Sequence, residues 1–259
     1  MNFYKLSKEQ RQLLVIRIKD EIESDLRLQA NNHLLKYFTD DDTYIRKSAY
    51  IAFGRIYKEN SINRSDIVNQ LHSLLKNQDP KVRQTAINAA GEIGIINFSE
   101  IEQLIEIGLF DSHHSVRNAV IGSLKKIGEK NPKPAINFAK RFLHHEEKEV
   151  RREICHGLEL FGRTHPEDIL PLLKELEYDN ASRVKNMVVH VIGQISYKKN
   201  CLEKVIAHLN TWENKKLVEK ALNEIVEVHD RYKNFAFYTQ EQAVKYIEKN
   251  CFCDSEEGS

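Results

Sequence analysis

The stretch Asp79-Pro80-Lys81-Val82-Arg83-Gln84-Thr85-Ala86, continued by Ala89-Ala90-Gly91-Glu92-Ile93-Gly94, decides the fold. With Arg83 as position zero, apolar residues fall at minus one, three, four, seven and ten, which is the stripe of a helix and not the alternation of a strand. The same register begins at Ile45-Arg46, Val116-Arg117, Val150-Arg151 and Val184-Lys185, and a weaker copy begins at Val218-Glu219. From Arg46 to Glu219 the zero positions are 37, 34, 34, 34 and 34 residues apart. A fixed period of this length marks one supersecondary unit repeated, and such a unit buries its apolar face only by stacking on its neighbours.

Position seven is Phe53, Ala90, Leu124, Leu158, Ile192 and Val226, and position ten is Ile56, Ile93, Ile127, Phe161 and Ile195. These form the second helix of each unit. Position eleven is Gly94, Gly128 and Gly162, where glycine suits a left-handed residue closing a helix. First helices lie between: Ser99-Glu100-Ile101-Glu102 reads as a capping box, and Pro132, Pro134 and Pro166 suit a first helical turn. Segments opening at Ser7-x-x-Gln10 and Thr239-x-x-Gln242 read as end pieces covering the terminal repeats.

The tetratricopeptide pattern W-x2-L-G-x2-Y is absent from every unit, and the one tryptophan is Trp212. An acid or amide, a short turn, then V-R-x-x-A is present instead. The 79–94 stretch resembles a HEAT repeat of the short bacterial and archaeal variety, and the resemblance runs from about Asp40 to Val228. It implies an all-α fold, a right-handed α-α superhelix of about six helical hairpins, with second helices on the concave side and cap helices at both ends. The expected organisation is one repeat domain over 1–250, with recognisable repeats at about 40–230 and a disordered tail over 251–259.

Composition bounds the function classes. Over 259 residues, 39 basic and 38 acidic side chains give a formal charge of +1, which excludes a uniformly basic nucleic-acid binder and leaves room for a local patch. From His113 to His165 there are 11 Lys or Arg against 6 Glu, a local excess on which a polyanion would rest. The four cysteines form no CxxC pair and no disulfide framework, which fits a reducing cytoplasm. Residues 1–19 mix Lys, Arg and Glu into their apolar positions, so neither a signal peptide nor a membrane span is expected.

The recurring cations Arg46, Arg83, Arg117, Arg151 and Lys185 are expected to serve the stack, since acids lie six residues before three of them (Asp40, Asp111, Asp179) and four before two (Asp79, Glu147). In HEAT-like repeats an acid in the turn pairs with the cation of the following helix, forming a ladder. Positions one, five, nine and twelve share another face of the second helix. The candidate partner-binding residues on that face are Lys47, Asn118, Lys126, Arg152, His156, Arg163, Asn186 and His190. The bland alternative is a solvated polar surface interrupted by Glu92, Glu129 and Glu224.

No mechanistic motif appears, neither a phosphate-binding G-x4-GK-[ST] loop nor a GxSxG elbow. Ala119 to Pro132 and Ile154 to Pro166 resemble the helical units of DNA alkylation repair glycosylases, which hold damaged duplex in a basic channel between aromatic walls and a carboxylate. The central positions here supply no tryptophan or acid pair, and Trp212-Glu213 reads as a helix-end anchor. Resemblance to phycocyanobilin lyase-like HEAT proteins is confined to the repeat. The pairs His113-His114 and His144-His145 and the Cys251-Phe252-Cys253 segment lack metal-ligand spacing, so neither a metal nor another cofactor is expected. The resulting expectation is a non-catalytic scaffold binding a protein or other extended partner, with nucleic acid through residues 113–165 as the alternative.

Overall fold

The computed structural model describes residues 3–251, and the described residues contain no strand. The helices are α1 (Lys8–Leu28), α2 (Asn32–Phe38), α3 (Thr43–Glu59), α4 (Arg64–Leu74), α5 (Pro80–Gly94), α6 (Glu102–Leu109), α7 (His114–Lys130), α8 (Pro132–Phe142), α9 (Lys148–Gly157), α10 (Glu159–Gly162), α11 (Pro166–Lys174), α12 (Ser182–Ser196), α13 (Leu202–Leu209), α14 (Lys215–Arg231) and α15 (Gln240–Asn250). In chain order the first and second helices pair as α2/α3, α4/α5, α6/α7, α8/α9–α10, α11/α12 and α13/α14, which gives the expected six hairpins. Of the tail expected over 251–259, residues 252–259 lie outside the described residues.

The chain forms two compact units, residues 1–135 and 136–259. In the first, α1 packs on α3, α3 on α5 and α5 on α7, so the second helices stack in order. In the second, α9 packs on α12 and α12 on α14, with α15 against α13 and α14. The helical stripe supplies both cores: Phe53, Ala90, Leu124, Leu158 and Ile192 at position seven and Ile56, Ile93, Ile127, Phe161 and Ile195 at position ten are all buried. Fully burying one of these Phe, Leu or Ile side chains contributes about 1.5–3 kcal/mol. In the weak sixth copy the stripe slips: Val226 is half-buried, while Ala221, Ile225 and Val228 are buried.

Local signals were realised unevenly. Both end-piece capping boxes form, Ser7 with Gln10 and Thr239 with Gln242. The box read at Ser99 does not: its hydroxyl donates to Asn97 Oδ1 at 2.8 Å, and α6 begins at Glu102 without a side-chain cap. Glycine at position eleven also acts differently from expectation. No described glycine has positive φ, and the left-handed closures fall on Gln29, Asn60 and Asn200. A Cβ on Gly94 would stand 2.8 Å from Ile127 Cδ1, and one on Gly162 would stand 2.5 Å from Ile195 Cδ1. These glycines let a neighbouring helix approach, which is a packing role and not a conformational one.

Candidate functional site

The zero-position arginines tie turns together in a pattern that corrects the expected pairing. Arg83 Nη1 donates to the carbonyls of Asn77 and Gln78, and its Nε and Nη2 fork onto Asp111 at 2.7 and 3.0 Å. Arg151 repeats this with the carbonyls of His145 and Glu146 and with Asp179 at 2.6 and 3.0 Å. Each carboxylate therefore binds the arginine 28 residues before it, while Arg117, the cation of the helix that Asp111 precedes, donates to the Asp111 backbone carbonyl at 2.7 Å. Geometry explains this: a cation at position zero has its own turn's carbonyls in reach, and its free edge faces the next turn in the stack. Burial pushes the Asp111 and Asp179 carboxyls up, but the arginine forks and the N–H groups of His113 and Ala181 outweigh it and hold both below the usual range. Asp79 instead caps its helix, accepting from Lys81 N at 2.8 Å.

In the first unit the candidate face holds Lys47 and Asn118, both exposed, and Lys126, half-exposed. Lys47 lines a polar groove of about 300 Å³ with Tyr44, Tyr50, Gln84 and Asn88. Lys126 Nζ stands 2.5 Å from Glu92 and 5.0 Å from the Tyr50 ring centre. Burial pushes the Tyr50 phenol up, with the Lys126 charge opposing. Glu92, which looked like an interruption of the face, is the counterion that pins Lys126 over the ring.

In the second unit the face is organised around a carboxylate. Glu159 is 6% exposed, and its Oε1 accepts from Arg163 Nη2 at 2.6 Å. Its Oε2 lies 3.3 Å from His156 Nε2 and 3.6 Å from His190 Nε2. Arg163 also donates to the Gln194 carbonyl at 3.2 Å and to Gln194 Oε1 at 2.6 Å, and it covers the Tyr197 ring at 5.4 Å. Arg152 pairs with Glu149 at 2.9 Å and Glu153 at 3.3 Å, and Asn186 is exposed. Thus His156, Arg163 and His190 are brought together, while Arg152 and Asn186 are held apart from that cluster by their own partners or by solvent.

Residues 31–125 match the family of HEAT repeats. Over that stretch the chain is similar to HEAT repeats. Its fold is similar to that of a structure titled AlkD2 from Streptococcus mutans, at 14% identity over 79% of this chain and 97% of that one, with a TM-score of 0.55. It is likewise similar to smu.31 from Streptococcus mutans UA159, at 15% identity, the same coverage and a TM-score of 0.53. The MAST/Orbit N-terminal domain matches at 13% identity over 76% of this chain and 96% of that one, with a TM-score of 0.52. At these identities the likeness is one of fold. No curated protein sequence is significantly similar to the chain.

Within the HEAT-like stack the other singled-out residues have structural partners. Trp212 is 1% exposed, and its Nε1–H donates to His208 Nδ1 at 2.8 Å, so it anchors a helix end in the core. The His113 and His114 rings stack at 4.7 Å, and His144 Nε2 lies 2.7 Å from Glu175. Cys155 and Cys201 are buried, and burial pushes both thiols up, Cys201 to about 11, which leaves neither a reactive thiolate. Among the described residues no helix is long and apolar enough to cross a membrane. The sequence reading missed Glu159 and Tyr50. Glu159 stands at position eight, which is Gly54, Gly91 and Gly193 in three other repeats and Lys125 and Glu227 in the remaining two, so residue type alone did not single it out.

Proposed function

We propose that the protein is a non-catalytic scaffold of the cytoplasm that receives an extended polypeptide along the exposed face of its second helices. The observation that carries this reading is the internal pairing of the face's cations. Lys126 is neutralised by Glu92, Arg152 by Glu149 and Glu153, and Arg163 by Glu159. A face on which three of the four cations already have an acid partner, Lys47 being the fourth, gains less from a polyphosphate, because counterion release needs cations available to phosphate. Amides and rings remain to hold a chain: Gln84, Asn88 and Asn118 offer both donors and acceptors, and Tyr44 and Tyr50 offer flat apolar area beside Lys47. The excess of cations counted between His113 and His165 is reduced by acids from outside that segment, Glu92 on Lys126 and Asp179 on Arg151.

The test compares affinity capture from the native lysate by the wild type and by Lys47→Glu combined with Asn186→Glu. Both positions are exposed, so folding is preserved. Loss of a captured polypeptide in the variant supports the face, and identical partner sets exclude it. Duplex DNA titrated at two salt concentrations separates the nucleic-acid alternative: binding whose logarithm falls with a slope of about −0.9 per neutralised phosphate replaces the polypeptide reading.

A further inference from the structure

We infer that His156, Glu159 and His190 form a binding site for a divalent transition-metal ion of the zinc class. The inference is independent of the partner reading. It starts from the period: His156 and His190 are 34 residues apart, so both occupy position five of consecutive units, and stacking α12 on α9 brings their rings to 5.6 Å at 81°. Glu159 follows His156 by three residues. Such an i, i+3 pair shares a helix face, the arrangement by which bundle metal sites pair Glu with His.

The local backbone is unlike that of the other second helices. Where α3, α5, α7, α12 and α14 are each continuous over 15 or 17 residues, this one breaks into α9 and α10 at Leu158, whose N–H turns to the carbonyls of Cys155 and His156. The tightened turn lies between the histidine and the carboxylate, a position where irregular helix often marks a functional site. The burial of Glu159 is itself unusual: position eight is glycine in three other repeats, and the charged residues there in the remaining two, Lys125 and Glu227, are half-buried and exposed.

The donor geometry fits an ion. The two imidazole nitrogens and one carboxylate oxygen lie within 4.8 Å of one another. The two nitrogen–carboxylate separations, 3.3 and 3.6 Å, match the edge of a tetrahedron with metal bonds of about 2.0–2.1 Å. Two imidazoles and one carboxylate are the ligand types preferred by zinc, iron and nickel and not by calcium or magnesium. The supporting shell is in place: Arg163 occupies Oε1 of Glu159 and is itself held by Gln194, which directs Oε2 toward the rings. Gln194 Nε2 is buried with no hydrogen-bond partner, so the same shell carries an unused donor. With the His156 and His190 side chains 26% and 37% exposed, the remaining coordination position is open to water.

The full chain, stripped with a chelator, is titrated with Zn²⁺ alone and separately with Co²⁺, following heat and the visible Co²⁺ bands. One equivalent of Zn²⁺ and tetrahedral Co²⁺ bands are expected. His190→Gln removes a half-exposed ligand without touching the buried carboxylate, so it loses stoichiometric binding while the metal-free melting temperature is unchanged. Arg163→Lys weakens binding about 10–100-fold by loosening Glu159. His113→Gln, a histidine outside the cluster, leaves binding unchanged. Absence of one-equivalent binding in the wild type overturns the site. So does equal binding by wild type and His190→Gln, which assigns the ion to other surface histidines.

Discussion

Position eight of the second helix separates the two faces. It is Gly54, Gly91 and Gly193 in three repeats, Lys125 and Glu227 in two others, and the buried Glu159 in the repeat that carries the histidine cluster. A Cβ on Gly54 would stand 2.6 Å from Glu92 Cβ, and one on Gly91 would stand 2.4 Å from Ser123 Oγ. There the helices close directly on Glu92 and Ser123, and Lys47, Gln84 and Asn88 line a groove at positions one and five. Where Glu159 replaces glycine, the helix breaks, a carboxylate is buried and two histidines and an arginine gather around it. A repeat fixes which positions meet, and a single residue at the meeting point decides whether the result is packing or chemistry.

The sharpest way to break this contrast is to remove the carboxylate. Glu159→Ala leaves the Arg163 guanidinium without its ionic partner at a site where it is 21% exposed. A loss of about 3 kcal/mol is expected in urea unfolding, at the lower end for a broken buried pair because Gln194 still holds the guanidinium. A change below about 1 kcal/mol would mean that Glu159 organises nothing. The converse substitution sharpens the first unit: Gly91→Ala forces Cβ against Ser123 Oγ and Cβ at 2.4 and 2.7 Å. Overpacking of about 1–3 kcal/mol is expected to outweigh the ~1 kcal/mol that alanine gains in helix propensity. Net stabilisation would show that the close approach is not needed.

How far these features were legible in sequence follows the range of the interactions. Phe53, Ala90, Leu124, Leu158 and Ile192 were readable as core because helical periodicity acts within one unit. The ladder partners were misassigned because Asp111 and Asp179 reach across to arginines 28 residues earlier, a distance set by stacking and not by chain proximity. Gly94 and Gly162 were given a backbone role that packing explains better. At the candidate site, the shared face of His156 and His190 followed from the period, but their convergence on Glu159 did not. It depends on a helix break that no local signal announced.

The arginine ladder is common to both units, so it should not discriminate between them. Because the Asp111 and Asp179 carboxyls titrate below their unfolded values, their contribution is complete above about pH 4 and is lost as pH falls through the lower folded values. The wild type is therefore expected to lose stability on acidification faster than Asp111→Asn combined with Asp179→Asn, in denaturant midpoints measured from pH 6 to 3. Parallel pH curves would show that the ladder adds nothing. The smallest effect is expected at Lys126→Met, within about 1 kcal/mol, since the ammonium is 41% exposed and its ion pair with Glu92 is solvent-screened.

Site-specific photocrosslinking tests the binding face most directly. A photoreactive side chain is placed at Lys47 or Asn186 on second helices and, for contrast, at Gln103 or Ala207, exposed residues of first helices. If the second-helix face receives an extended polypeptide, positions 47 and 186 crosslink to a polypeptide in the native lysate and positions 103 and 207 do not. Equal crosslinking from all four positions, or adducts with nucleic acid from positions 47 and 186, would contradict it.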